Sequence, residues 1–524
     1  MVQVIRTRRK KRFPTRRHSI APPPTGELAA RVRQVGVERF AFVCVDPAKH
    51  RSRWMMADFL GQVLLPPATV EHSAGALQAM IGSVRRAMAQ AGIEVVWVIV
   101  ERTGQYHLPV QRAFAHAGFE TRILHPYATK QYRQIADPGN KTDDTDLVAQ
   151  HRAAVAGFGL IELPLGDDYR HLRLLARHRR DLVQKASALC SQLREHLHLV
   201  MPGYACCFDD LWKSPVAVPI ARRTGTPQAL RELGGARLSQ SLRDDGLRFQ
   251  ASTLERILAW ARQAPPAAPD APWHQRIWTA LDDDRLAKRR EIEALERDLA
   301  ALLVRTPYVL LVAFPGINVV SAAELAGEMG PITHYANPNA ITGRAGLFPA
   351  RYQSDRVDLP NGPLVRCANR RLRAALLRIA DNLVMNNRYF RAQADLQRRG
   401  GADERAIRVR VAKKFTRLSF AVLAGRRVLR HACCQPGDAI LLKLSEFHRL
   451  HHTPAAQILT DLQAAVDQLP QKAYTQEARA LSTKLETAAG RRRGPTPLGD
   501  LLPLVLARLT KHPISEPSEA QASH

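Results

Sequence analysis

From residue 40 the chain reads Phe40-Ala41-Phe42-Val43-Cys44-Val45 and then Asp46, an unbroken apolar run closed by an acid. A run this short, apolar at every position, predicts a buried strand. Val95-Val96-Trp97-Val98-Ile99-Val100-Glu101 repeats the design, and residues 119–124 supply a third such run. Another strand-like stretch covers about residues 53–65, with residues 46–53 as the turn leading into it. Between the runs, residues 73–91 and the segment before residue 119 read as helices, and a helix beginning at Asp143 closes the series. Strands alternating with helices imply an α/β unit with parallel strands, whose ligands gather beyond the strand C-termini. Asp46 and Glu101 both stand at such ends.

Beyond residue 157 the period changes. Leu172, Leu175, Leu182, Leu189, Leu193 and Leu197 mark a long helix over residues 169–200, stopped by Met201-Pro202-Gly203. Ile292, Leu295, Leu299 and Leu302 mark a second over about 273–304. Two such helices predict an antiparallel coiled coil or dimer stalk, with ordinary bundle packing as the alternative. Residues 203–273 between them are less regular, and Ala264-Pro265-Pro266-Ala267-Ala268-Pro269 reads as a linker or insertion. In a second compact unit, residues 309–430, Phe314-Pro315-Gly316-Ile317-Asn318 precedes an Ala-rich helix from Ser321. This resembles a helix-hairpin-helix element, whose turn amides can face a phosphate. Asn318 stands where a second glycine is usual, and Asn tolerates a left-handed backbone.

Charge narrows the partner. At 524 residues the chain is too long for one ordinary core, and it carries 77 Lys and Arg against 48 Asp and Glu, a net charge of +29. An excess this large points to a polyanion. Residues 366–430 alone hold 18 Arg or Lys against Asp381, Asp395, Asp403 and Glu404. Arg6 to Arg17, followed by Pro22-Pro23-Pro24, reads as a disordered basic arm. Aromatic residues are only 6% of the chain, which favours phosphate contacts over base stacking. The seven cysteines show no Cys-x-x-Cys pairing with histidine, which argues against zinc and fits a reducing compartment. No apolar run has the length of a membrane span, so the expected location is cytoplasmic and nucleoid-associated.

In so basic a chain the carboxylates of Asn140-Lys141-Thr142-Asp143-Asp144-Thr145-Asp146 stand out. On a helix Asp143 and Asp146 share a face and Asp144 turns away. An acidic helix start also caps free amides. Two strand-end acids in addition make a four-carboxylate constellation of Asp46, Glu101, Asp143 and Asp146. Adjacent carboxylates repel unless a cation lies between them, and divalent metals held by carboxylates serve phosphate chemistry.

With these acids in the first unit, and Phe314-Pro315-Gly316 leading to Gly346-Leu347-x-Pro349 and Gln353-Ser354 in the second, the chain resembles the DEDD-type insertion-sequence transposases of the IS-one-ten family. The resemblance covers roughly residues 38–200 and 275–430. It implies a RuvC-like, ribonuclease-H-type α/β domain at 38–160 after a basic arm at 1–37. Long coiled-coil helices at 161–305 would follow, with the insertion at about 203–273, then a mainly helical serine transposase domain at 306–432 and an extension at 433–524. It further implies Mg2+ or Mn2+ held by Asp46, Glu101, Asp143 and Asp146, and Ser354 as the nucleophile that cuts and rejoins DNA strands. The implied partners are donor and target DNA, a structured bridge RNA that guides both, and further copies of the chain in a homodimer or tetramer with no membrane. The sequence departs from the family pattern at Asp146-Leu147 and Ser354-Asp355, where alanine and glycine are common second residues. Two other readings stay open: a metal-dependent RuvC-like junction nuclease in which Ser354 is structural, and a catalytically inactive nucleic-acid-binding protein.

Overall fold

The computed structural model describes residues 26–136, 138–163, 165–354, 357–359, 362–366 and 368–469. The basic segment Arg6–Arg17 and the Arg491–Arg493 run lie outside them, as do Asp355 and Arg356 beside Ser354. The chain divides into two compact units between residues 164 and 165.

In the first unit, α1 (Gly26–Val35) precedes the antiparallel meander β1 (Phe40–Pro47), β2 (Arg51–Asp58) and β3 (Val63–Glu71). Then follow α2 (Ala74–Ala91), β4 (Val95–Glu101), α3 (Leu108–His116), β5 (Glu120–Leu124), α4 (Pro126–Ala136) and α5 (Asp143–Val155). The sheet order is β3-β2-β1-β4-β5, with β1, β4 and β5 parallel. On one face Ala41, Val43, Val45, Val98 and Val100 meet Leu77, Ile81 and Val84 of α2. On the other, Phe40, Phe42, Cys44, Trp97 and Ile99 meet Leu147, Ala153 and Ala154 of α5. Cover on both faces is why these strands are apolar at every position.

Three details differ from the sequence expectation. Residues 53–65 are not one strand: the Asp58 carboxylate accepts the Gly61 and Gln62 amides, both at 2.7 Å, and reverses the chain into β3. Helix α4, predominantly polar in sequence, was not among the expected elements. The expected disordered arm at 1–37 ends in helix α1, whose Leu28 is buried against the sheet and whose Glu27 accepts from the buried Arg122 at 3.0 Å.

The second unit is mostly helical. Helix α6 (Asp167–Val200) is followed by α7 (Ala217–Thr224), α8 (Pro227–Asp244), α9 (Ala251–Gln263) and α10 (Ala271–Leu303). Helices α6 and α10 run antiparallel, since His178 meets Glu291 at one end and His196 meets His274 at the other. The intervening segment, expected to be irregular, folds into short helices around Tyr204, Leu230, Leu238, Ile257 and Trp278. Each helix spans too few turns to show a sustained period, and α8 is kinked at Gly234, φ 72°. The rest comprises α11 (Val319–Met329), α12 (Pro338–Arg344), a hairpin of β6 (Tyr352–Ser354) and β7 (Val357–Leu359), α13 (Arg370–Asn386), α14 (Arg388–Arg399), α15 (Glu404–Ala424), α16 (Asp438–Leu450) and α17 (Ala455–Asp467). Asn318 is extended, not left-handed: it caps α11, accepting the Ser321 amide at 2.8 Å. The left-handed residue is Gly316, φ 95°, where a Cβ would stand 2.7 Å from the Asn382 carbonyl oxygen.

Helix α11 crosses α6 at Gly327, where an added Cβ would lie 2.6 Å from the Arg173 backbone nitrogen. Two backbones cannot yield as a flexible side chain does. Gly327→Ala is expected to cost about 1–3 kcal/mol of stability, read by denaturant unfolding.

Candidate acidic site and basic surface

Strands β1 and β4 are hydrogen-bonded neighbours, with Val45 opposite Val100. The next residues, Asp46 and Glu101, therefore emerge side by side at the C-terminal ends of two parallel strands. Thr142 starts α5 with a capping box, accepting the Thr145 amide at 3.1 Å while its own amide donates to Thr145 Oγ1 at 2.9 Å. That cap, and Leu147 seated under α5, set the helix rotation: Asp146 is buried and Asp143 exposed.

Electrostatics shows which acids share a neighbourhood. The Asp46 carboxyl is pushed up to about 7, first by burial, then by repulsion from Glu101, Asp146 and Asp143, with Lys141 opposing. Glu101 is also raised, chiefly by burial and further by Asp146, while Thr129, Arg133 and Gln150 pull it down. Asp144 takes no part: Arg53 on β2 grips both its oxygens, at 2.7 and 3.2 Å, and holds its carboxyl below the usual range. This exposed fork, which also touches Thr69, staples the start of α5 to the sheet.

Three residues that sequence reasoning missed complete the cluster. Arg133 of α4 forms an ion pair with Asp146. Gln150, one turn beyond Asp146 on the same face of α5, is fully buried and reaches the Glu101 carboxyl. Thr129 of α4, also buried, reaches the same carboxyl, so both stabilise its charged form. Gln150 carries a sequence signal in hindsight, its spacing of four from Asp146. Arg133 carries none, because α4 was not foreseen.

The donor set has the chemistry a hard divalent cation neutralises: carboxylate oxygens only, partly withdrawn from water and repelling one another. Among the described residues, however, no three His, Cys, Asp or Glu side chains converge closely enough to hold a metal ion. One of the four acids, Asp146, is instead engaged by a guanidinium.

Ser354 belongs to the second unit. It is exposed at the end of β6, opposite Val357, and among the described residues its hydroxyl has no hydrogen-bond partner. The hairpin is held by Arg351, which forks onto Asp358 at 3.0 and 2.7 Å. It is held also by backbone bonds from Ala350 to Pro363 and from Gly362 to Ala350. Arg344, the last residue of α12, donates to the Met329 carbonyl and to Tyr335.

Helices α13 to α15 and their connections expose Arg370, Arg371, Arg388, Arg399, Arg405 and Arg417, among others. At six or more phosphate contacts, duplex affinity is expected to fall roughly 10^3-fold between 50 and 200 mM salt, measured by fluorescence anisotropy. Replacing Arg371 by Ala should reduce the log–log salt slope by about one. Among the described residues no helix is long and apolar enough to cross a membrane.

An α/β unit on a mixed sheet with acids at the ends of its parallel strands, and a strongly basic helical unit after it, point to a class of enzymes that act on nucleic acid. The DEDD-type transposase family associated with IS110 matches residues 43–202, and the family described as "Transposase IS116/IS110/IS902 family" matches residues 309–395. A protein of insertion element IS110 from Streptomyces coelicolor is 26% identical over 297 residues, covering 56% of this chain and 73% of its own length. One of insertion element IS900 from Mycobacterium paratuberculosis is 28% identical over 326 residues, covering 60% and 78%. Both family matches and these relatives support an IS110-type transposase, an enzyme that acts on DNA.

Proposed function

We propose that the first unit is a RuvC-like, ribonuclease-H-type nuclease domain in which Asp46, Glu101, Asp143 and Asp146 hold Mg2+ or Mn2+ against a DNA phosphate, and that Ser354 is the strand-transferring nucleophile. The observation that carries the reading is the register that brings Asp46 and Glu101 out side by side at the ends of parallel strands β1 and β4, with Asp146 and Asp143 of α5 near enough to act on Asp46. When bound, a divalent cation would supply charge neutralisation and Lewis acidity at the scissile phosphate. The chain's own residues supply the rest. Asp46 and Glu101, fixed by strand register, and Asp143 and Asp146, fixed by the α5 cap, orient the phosphate.

In the covalent step, Ser354 Oγ forms a bond to phosphorus as the bond to the deoxyribose oxygen breaks. The serine proton passes to solvent or a carboxylate, and the leaving oxygen takes one up. In the second step a deoxyribose hydroxyl of the exchanged strand attacks the same phosphorus, and Ser354 leaves. One phosphodiester replaces another, so no nucleotide cofactor is required. A bridge RNA paired to donor and target would choose the sequence, the basic surface of α13 to α15 would bind nucleic-acid backbones, and the helix-hairpin-helix-like turn at Pro315-Gly316 would add phosphate contacts. The α6–α10 pair would serve as the coiled-coil stalk of a homodimer or tetramer.

The test is a suicide DNA bearing the element's junction, incubated with Mn2+ and the RNA encoded beside the reading frame. A metal-dependent protein–DNA adduct mapping to Ser354 is the expected result. Cleavage with no adduct favours the junction-nuclease reading. Binding that ignores metal, with no cleavage, favours an inactive binding protein.

A further inference from the structure

The acidic cluster already contains a cation of its own. Arg133 forms an ion pair with Asp146 Oδ1, and the two side chains are only 14% and 11% exposed. The same guanidinium draws the Glu101 carboxyl down. One positive group thus serves two of the four acids, while Lys141 acts on Asp46. Arg53 makes a useful contrast, since its bidentate pair with Asp144 is exposed and outside the cluster, as a staple should be.

Gln150 and Thr129, on the two helices that carry Asp146 and Arg133, reach the Glu101 carboxyl and help pull it down, while Arg133 takes the oxygens of Asp146. A divalent cation would need those Asp146 oxygens, and a guanidinium and a divalent ion cannot both lie against one partly buried carboxylate without strong repulsion.

We propose that Arg133 is the resident counter-ion of this site, paired to Asp146 before a divalent cation enters and displaced from it as the cation binds. The proposal rests on the reading that the four acids hold such a cation. It makes Arg133 a positioning residue: it keeps Asp146 and Glu101 close together in the empty state and sets the threshold for metal entry. Helix α4 is then the element whose local order responds to metal.

The experiment is Mn2+ binding to the full-length protein, followed by electron paramagnetic resonance of the free ion. Arg133→Gln is expected to tighten Mn2+ binding about tenfold or more, because the competitor is gone, and Arg133→Lys to stay near wild type. Asp46→Asn is expected to lose the site. If Arg133→Gln binds Mn2+ equally or less tightly while Asp46→Asn loses binding, Arg133 is a mere support and the proposal fails with the metal reading intact. If the wild type binds no Mn2+, or Asp46→Asn binds as wild type does, the metal reading fails and takes the proposal with it. Should Arg133→Gln not fold, hydrogen exchange of the wild type decides: faster exchange in residues 126–136 on adding Mn2+ supports displacement, and unchanged exchange overturns it.

Discussion

Ser354→Ala is expected to abolish the covalent protein–DNA adduct and to lower strand exchange on the order of 10^4- to 10^6-fold, the scale on which removing a catalytic nucleophile acts. The serine is exposed on a short hairpin and bears no part of the hydrophobic core. Its replacement should therefore leave thermal unfolding within about 0.5 kcal/mol of wild type, as is usual for surface substitutions. A lost adduct with unchanged stability isolates chemistry from folding. A serine hydroxyl is a weak nucleophile until it is activated, so the rate of the wild type should depend steeply on metal and on bound DNA. Denaturing gel analysis of the trapped substrate reads both. Strand cleavage that persists at full rate in Ser354→Ala would assign attack to water.

Asp46→Asn should separate activity from stability in opposite directions. Cleavage is expected to fall on the order of 10^3-fold, since one carboxylate of the phosphate-orienting set is lost. Metal-free stability is expected to rise. In the folded protein Asp46 is raised from an ordinary value near 3.8 to about 7, by burial and then by Glu101, Asp146 and Asp143. A raised carboxyl contributes its full stability below the unfolded value and loses it progressively as pH climbs through the folded one. At pH 8 the ionised Asp46 is therefore a liability, which asparagine removes. The gain should be on the order of 1–2 kcal/mol after discounting for its partial exposure, and should vanish near pH 4. Thermal unfolding of both proteins with EDTA present, from pH 4 to 8, checks it. Equal pH profiles would show that Asp46 is not strained by its neighbours.

The acids at strand ends were legible because strands buried on both faces are apolar throughout, so the first charged residue marks the end of the strand. The same logic assigned Asp143 and Asp146 to one face, and the fork from Arg53 accounts for Asp144 standing apart. Less could be read where local periodicity is short. The segment from 203 to 273 folds as several brief helices on a common core, and no window of its sequence holds enough turns to announce that. The reversal at Asp58 depends on one side chain folding back on two amides, a local event inside a stretch that otherwise reads as a strand.

By itself the sequence determined the alternation of strands and helices, the positions of four acids at places where an α/β unit gathers ligands, the two long helices, and a basic surplus that demands a polyanion. These follow from periodicity and charge, which act over a few residues and need no knowledge of what lies across the fold. The tertiary structure alone decided that Arg133 stands against Asp146, that Gln150 and Thr129 are buried beside Glu101, and that Asn318 caps a helix while Gly316 takes the left-handed turn. Burial and close approach between segments far apart in the chain create these features, because both the cost of burying a polar atom and the strength of a charge pair depend on how much water the fold leaves around them.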